Sequence, residues 1–299
     1  MTALNYGIKI VKAGKSITSS DLRDIIMSSK FTMLKQHSTS TGSATFNPKD
    51  TTKYVDFTHN LGYVPFFLAY MSCSSMEDGK ERMIPGYTWA SFPASGDESI
   101  TGFSNAYANS SIVRCSLNLT NPYNQIKILY DQLYWEFWSG DAGIVVGNAG
   151  GGGKSTAYRF PAVPLTKNQS ITEANMEIKN VFSGDGAANT KYTVYGIDED
   201  NVGDVDIDKA RTDAYDNREQ SKVSGCFNFG TDCLDQVREI IARNNWASGN
   251  NMGFIIKENG SDSGSFIDGF DGTTAELTVV KSGTMVVTFR VIIFKDKIL

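Results

Sequence analysis

"YVDFTHNLGYVPFFLAYM", residues 54 to 71, sets two apolar runs of strand length around the polar corner His59-Asn60-Leu61-Gly62. Asn and Gly supply the positive φ that a chain reversal needs, and Pro65, which has no N–H to give to a ladder, suits an edge position. The stretch reads as strand, turn, strand. For His59 to act instead as a general base it needs a nucleophile or an orienting carboxylate beside it, and the local sequence offers Asp56 alone. The economical expectation is that His59, Asn60, Gly62 and Pro65 form a structural turn.

The same grammar recurs along the chain. "SIVRCSLNL", "KYTVYGI", "MGFIIK", "AELTVV" and "MVVTFRVIIF" are β-branched or aromatic runs of strand length, separated by many of the 28 glycines. One segment, "DCLDQVREIIARNNW", has helical spacing through Leu234, Val237, Ile240 and Ile241, with Thr231 or Asp232 as the expected N-cap and Gly249 beyond its end. It predicts a helix near 232–244, and residues 18–30 could add a short helical turn. Many short strands with one helix predict an all-β protein of antiparallel sandwiches rather than βαβ units.

Bulk properties narrow the function classes. At 299 residues two domains are expected, and 40% apolar with 20% charged residues suits a folded protein. A net charge of -5 gives no basic stripe for phosphates, so nucleic acid is not expected as a partner. No run approaches the ~20 apolar residues of a membrane span, so membrane insertion is not expected, and "MTALNYGIKIVKAGKS" lacks the apolar core of a signal peptide. Folding in a cytoplasm is the corresponding expectation. Cys73, Cys115, Cys226 and Cys233 contain no C-x-x-C pair and only two histidines are present, so the thiols are expected to be reduced and structural and no cofactor is expected.

Two stretches imitate ligand motifs. "GNAGGGGKS", 147 to 155, resembles a phosphate-binding loop, but the first required glycine falls on Asn148, and Pro161 and Pro164 downstream oppose the helix such a loop opens. A glycine hairpin or linker is expected. "DEDNVGDVDID", 198 to 208, offers Asp198, Asp200, Asp204, Asp206 and Asp208 as oxygen ligands. EF-hand spacing fails, since the twelfth position is Lys209 from Asp198 and Tyr215 from Asp204. A calcium loop of another kind stands as the candidate against a solvated acidic loop.

Catalytic constellations are thin: there is no G-x-S-x-G elbow, and no histidine has an obvious companion. The aromatic clusters "YTWASF" and "LYWEFW" make Trp89, Trp135 and Trp138 candidates for glycan stacking or a subunit interface, with core packing as the plainer reading.

The opening "YGIKIVKAGKS", the "SKFTMLK" segment and the "HNLGYVPFF" turn together resemble a small β-domain of tailed-bacteriophage tail-fibre and minor tail proteins. Further on, "DQVREIIARNNWASGNNMGFIIK" and "AELTVV" are similar to jelly-roll modules of bacterial adhesion, carbohydrate-binding and phage structural proteins. There a Trp-x-Ser-Gly-Asn turn precedes a buried strand; Trp246, Ser248, Gly249 and Asn250 match it here, and Ala275, Leu277 and Val279 match the closing strand. The final "VIIFKDKIL" resembles the last strand of the phage domain. The resemblance therefore implies a first domain at 1–125 plus 283–299 and a jelly-roll module at 126–282 inserted into its last hairpin; two consecutive domains with a docking C-terminal strand is the alternative.

What the resemblance implies for function is a non-enzymatic virion protein, a tail-fibre, tail-tip or capsid-decoration subunit. Its partners would be copies of itself and other virion proteins, and it would assemble in the host bacterial cytoplasm and be released by lysis. A module binding host surface glycan is the alternative, and a glycan-degrading enzyme a more remote one.

Overall fold

The computed structural model describes residues 9–11, 13–14, 25–28, 36–74, 81–84, 88–93, 99–137, 143–149, 152–183, 190–212, 217–220, 225–269 and 273–297. Among them the fold is all-β with one helix. In chain order the first strands are β1 (Lys9–Val11), β2 (Ile25–Ser28), β3 (Gln36–Phe46), β4 (Thr52–Thr58), β5 (Pro65–Cys73), β6 (Arg82–Met83), β7 (Thr88–Pro93), β8 (Ser99–Ala108) and β9 (Ile112–Leu119). Then come β10 (Gln125–Leu129), β11 (Gln132–Phe137), β12 (Gly143–Ala149), β13 (Gly152–Lys154), β14 (Thr156–Phe160), β15 (Ile171–Ser183), β16 (Thr190–Gly196), β17 (Asn217–Gln220) and β18 (Gly225–Asp232). After α1 (Leu234–Ala242) follow β19 (Met252–Glu258), β20 (Phe266–Gly269), β21 (Thr274–Lys281) and β22 (Met285–Lys297).

The chain divides into two compact units, one of Met1–Phe46, Thr51–Thr120 and Met285–Leu299, the other of Asn47–Asp50 and Asn121–Thr284. The first holds two four-stranded antiparallel sheets, ordered β3-β22-β5-β6 and β4-β9-β8-β7, and a β1-β2 pair. Period-two alternation builds its core. Met285, Val287, Phe289, Val291 and Ile293 of β22 are fully buried, as are Val113, Cys115 and Leu117 of β9. Burial of each such side chain contributes about 1.5–3 kcal/mol, so the closing strand is essential to this unit.

The unit boundary falls between β9 and β22, which are not hairpin partners. β9 ladders with β4 and β8, whereas β22 ladders with β3 and β5. The second unit thus interrupts the step from one sheet to the other. In the 18–30 stretch, residues 25–28 are strand β2 paired to β1, not helix; Ile25 and Ile26 are β-branched and suit a ladder. The rest of that stretch lies outside the described residues.

In the second unit one ladder runs β10-β21-β15-β20-β12-β11-β14-β19-β16-β17, with β13 joined to β12 and β18 to β15. Strand β11 is the corner: residues 132–135 pair with β14 and residues 136–137 with β12. The two layers of this sandwich are therefore one sheet bent over itself, with β12 packed against β16 and β19. Between them lie Val145, Val146, Phe160, Met176, Val194, Phe229, Phe254, Ile256, Leu277 and Val279.

Helix α1 closes this core with Val237, Ile240 and Ile241, and its buried Gln236 donates to the Val194 carbonyl at 3.0 Å. Its N-cap is Cys233, without a side-chain capping bond, rather than Thr231 or Asp232; the Asp232 carboxylate instead accepts from the Leu234 N–H at 2.9 Å. Beyond the helix the Trp246 indole donates to the Leu165 carbonyl at 2.8 Å, and Gly249 takes the turn at φ 93°. That positive φ is why glycine stands there.

Candidate functional site

His59 is 2% exposed, and both ring nitrogens are engaged by backbone. Nδ1 accepts from the Leu61 N–H at 3.2 Å, so Nε2 carries the proton it gives to the Asn109 carbonyl at 3.1 Å. Asn109 in turn accepts from the Ser111 and Ile112 N–H groups, so the imidazole pins the 59–62 turn onto the 109–112 turn. Asn60 and Gly62 take φ 53° and 73°, and Pro65 is buried as the first residue of β5. The other histidine, His37, meets the His59 carbonyl through Nε2 at 2.9 Å. The arrangement holds a corner and leaves neither His59 nitrogen for proton transfer.

The acidic stretch does not gather its carboxylates. Asp198 pairs with Arg243; Asp200 accepts from Arg243 Nε at 2.9 Å and from Asn245 at 3.1 Å. Asp204 accepts from Gln132 at 3.0 Å, and Asp206 accepts from the Asp208 N–H at 3.0 Å. Among the described residues no group of three or more His, Cys, Asp or Glu could hold a metal ion. The same stretch buries Val202 and Val205 with Ile197 against Ala157 and Ile255. It is an apolar strap over the sheet's outer side, in which Asp198 and Asp200 share Arg243, Asp204 meets Gln132 and Asp206 accepts from the strap's own backbone.

The glycine-rich mimic is a hairpin: Gly147, Asn148 and Ala149 pair with Lys154, Gly153 and Gly152. Trp135 is half-buried and lies over Gly269, where an added Cβ would sit 2.1 Å from the ring, so the absence of a side chain there seats the indole. Trp89 is in β7 opposite Phe103. Trp138 lies outside the described residues.

Two features of the first unit were not read from the sequence. On the outer face of the β4-β9-β8 sheet, Arg114 makes a bidentate pair with Asp56 at 2.6 and 2.6 Å, and its guanidinium stands 4.1 Å above the Tyr54 ring. This hydrogen-bonded guanidinium holds Asp56 below the usual carboxylate range. Asp56, Arg114 and Tyr107 are register partners across three strands, as are Tyr54, Ser116 and Asn105 in the next row. On the other sheet Arg290 clamps Glu81 and stands 4.4 Å above Tyr70, again depressing the carboxylate. Around it the outward positions of β5 and β22 are Phe66, Leu68, Ile292 and Phe294, with Phe66 and Phe294 rings 5.4 Å apart and Met83 54% exposed beside them. An i, i+2 pair such as Tyr54 and Asp56 was the available signal, but its cross-strand partner depends on register.

Cys73, Cys115 and Cys233 are buried and Cys226 is exposed. Burial pushes the Cys115 thiol up to about 12, and burial pushes Asp268 up to about 6.

No protein-family model and no curated protein matches the chain. Among solved structures it is similar to a Paenibacillus xanthan lyase at 11% identity and a TM-score of 0.26, covering 84% of this chain but 26% of that one. It is also similar to the infectious bursal disease virus VP2 subviral particle at 10% identity and a TM-score of 0.17, covering 87% and 81% of the two chains. Likenesses this distant carry no argument about fold or function.

Proposed function

We propose that the chain is a non-enzymatic structural subunit of a bacteriophage particle, a tail-fibre, tail-tip or capsid-decoration protein that acts through contact with copies of itself and with neighbouring virion proteins. The first unit is its attachment body and the second a module carried on the particle. The observation that carries this reading is the β3-β22-β5-β6 sheet, whose outer face carries an apolar patch on β5 and β22 beside the polar Thr39, Thr41, Ser43 and Thr288. Its inner face holds the buried Met285, Val287, Phe289 and Val291, and its outer face offers Phe66, Leu68, Ile292 and Phe294 with Tyr70, Arg290 and Met83. An apolar patch on the face turned away from the core calls for cover, and aromatic residues, Met and Arg are enriched at protein interfaces. The turn-locked His59 and the resemblance of the terminal segments to a phage β-domain support the same reading.

The test is incorporation. Ile292→Glu and Leu68→Lys alter the outer face while leaving the inner core intact, so each variant should keep its far-UV spectrum yet lose self-association in light scattering and be missing from purified particles. Variants that assemble like the parent chain would refute the assignment.

A further inference from the structure

The two sheets of the first unit present unlike outer faces. Against the Phe66, Leu68, Ile292 and Phe294 patch of the other sheet, the β4-β9-β8 face carries two rows of side chains: Asp56, Arg114 and Tyr107, then Tyr54, Ser116 and Asn105. The tyrosines occupy opposite corners of this patch and are 55% and 44% exposed. Arg114, clamped by Asp56, stands over one side of the Tyr54 ring and fixes it. Ser116 and Arg114 lie on the middle strand between the two tyrosines, and Asn105 lies beside Tyr107 on β8; no described group of the protein takes up the side-chain hydrogen-bonding capacity of Ser116 or Asn105.

From these positions we infer that the β4-β9-β8 face is a binding site for a neutral oligosaccharide. Strand separations near 4.8 Å and a two-residue step near 6.8 Å set the two tyrosine positions about 12 Å apart, a span suited to a few linked sugar rings. An aromatic face is the negative part of the ring's quadrupole and attracts the weakly positive C–H face of a pyranose. Sugar hydroxyls lying across the patch meet the Ser116 hydroxyl and, beside Tyr107, the Asn105 amide, which can donate and accept. The single carboxylate and single guanidinium cancel, so the patch has no net charge to attract a polyanion. A protein partner fits less well, because a stable interface needs about 800 Å² a side, and this polar, two-row patch is a small part of that.

The proposal goes beyond the assembly role and is tested on the isolated full chain, so particle assembly does not enter the result. Titrating cellohexaose, maltohexaose and hexagalacturonate against labelled protein, followed by amide chemical shifts, should give saturable shifts on β4, β8 and β9 with at least one neutral hexaose. Tyr54→Ala and Tyr107→Ala should each weaken that binding about fivefold to tenfold, the loss of one stacking contact. Asn105→Ala and Ser116→Ala, which remove polar atoms of half-buried outer-face residues without touching the core, should weaken it without changing the melting temperature. Absence of binding by both neutral hexaoses overturns the proposal, as does a preference for the uronate or unchanged affinity in both tyrosine variants.

Discussion

Replacing His59 by alanine tests whether this residue is a structural pin. The substitution removes the acceptor for the Leu61 N–H and the donor to the Asn109 carbonyl, at a site 2% exposed, while the backbone bond from the His59 N–H to Ser111 remains. A buried polar group left without a partner costs about 1–3 kcal/mol. Two such groups, partly relieved by water entering the vacated volume, amount to about 3 kcal/mol, a large share of the ~5–15 kcal/mol of a typical domain. His59→Asn provides the internal control. Its side-chain oxygen can accept from the N–H two residues on, as in an Asx turn, but it is too short to reach Asn109, so roughly half of the loss should return. Urea denaturation, with indole fluorescence and far-UV signals fitted to separate transitions, reads these differences. A loss below about 1 kcal/mol for alanine, or an asparagine variant no better than alanine, would refute the pinning argument.

Four further expectations follow from the same geometry. Calcium at millimolar concentration should leave the melting temperature unchanged, while Arg243→Ala, which frees Asp198 and Asp200, should cost about 1–2 kcal/mol; a calcium-dependent rise in melting temperature would contradict the strap reading. Asp268 binds its proton more tightly folded than unfolded, so its contribution falls as pH rises from 3.8 through about 6, and Asp268→Asn should raise stability at pH 7 by about 1–2 kcal/mol with little effect at pH 4. Asp56 and Glu81 have the opposite sign: their stabilisation is present above the ordinary carboxylate range and is lost as pH falls through their depressed values. An aromatic disulfide reagent should titrate one thiol quickly, Cys226, and reach Cys73, Cys115 and Cys233 only on unfolding.

What the sequence disclosed follows from how local each feature is. The turn at 59–62, the helix near 232–244 and the buried alternation of Ala275, Leu277 and Val279 each lie within one continuous segment, where period and turn chemistry are directly readable. The corner at β11 was not legible, because a strand that changes partners midway has the same local pattern as any other. Nor was the clamp of Asp56 by Arg114, which depends on a register between residues 58 positions apart. The acidic stretch left two readings open for a related reason. Its five aspartates fitted either an ion loop or a solvated loop, and neither pattern showed that the buried Val202 and Val205 between them organise the strap. For Trp135 the sequence offered core packing or a contact surface, and its seat on Gly269 could be seen only once β11 and β20 were brought together.

The most direct measurement is cryo-electron microscopy of intact particles from a lysate of the strain that carries this sequence, with the density searched for both units. The account predicts the chain at a symmetry-related position on tail or capsid, its Phe66, Leu68, Ile292 and Phe294 face covered by another subunit. Particles without this chain, together with a purified protein that remains monomeric, would contradict it.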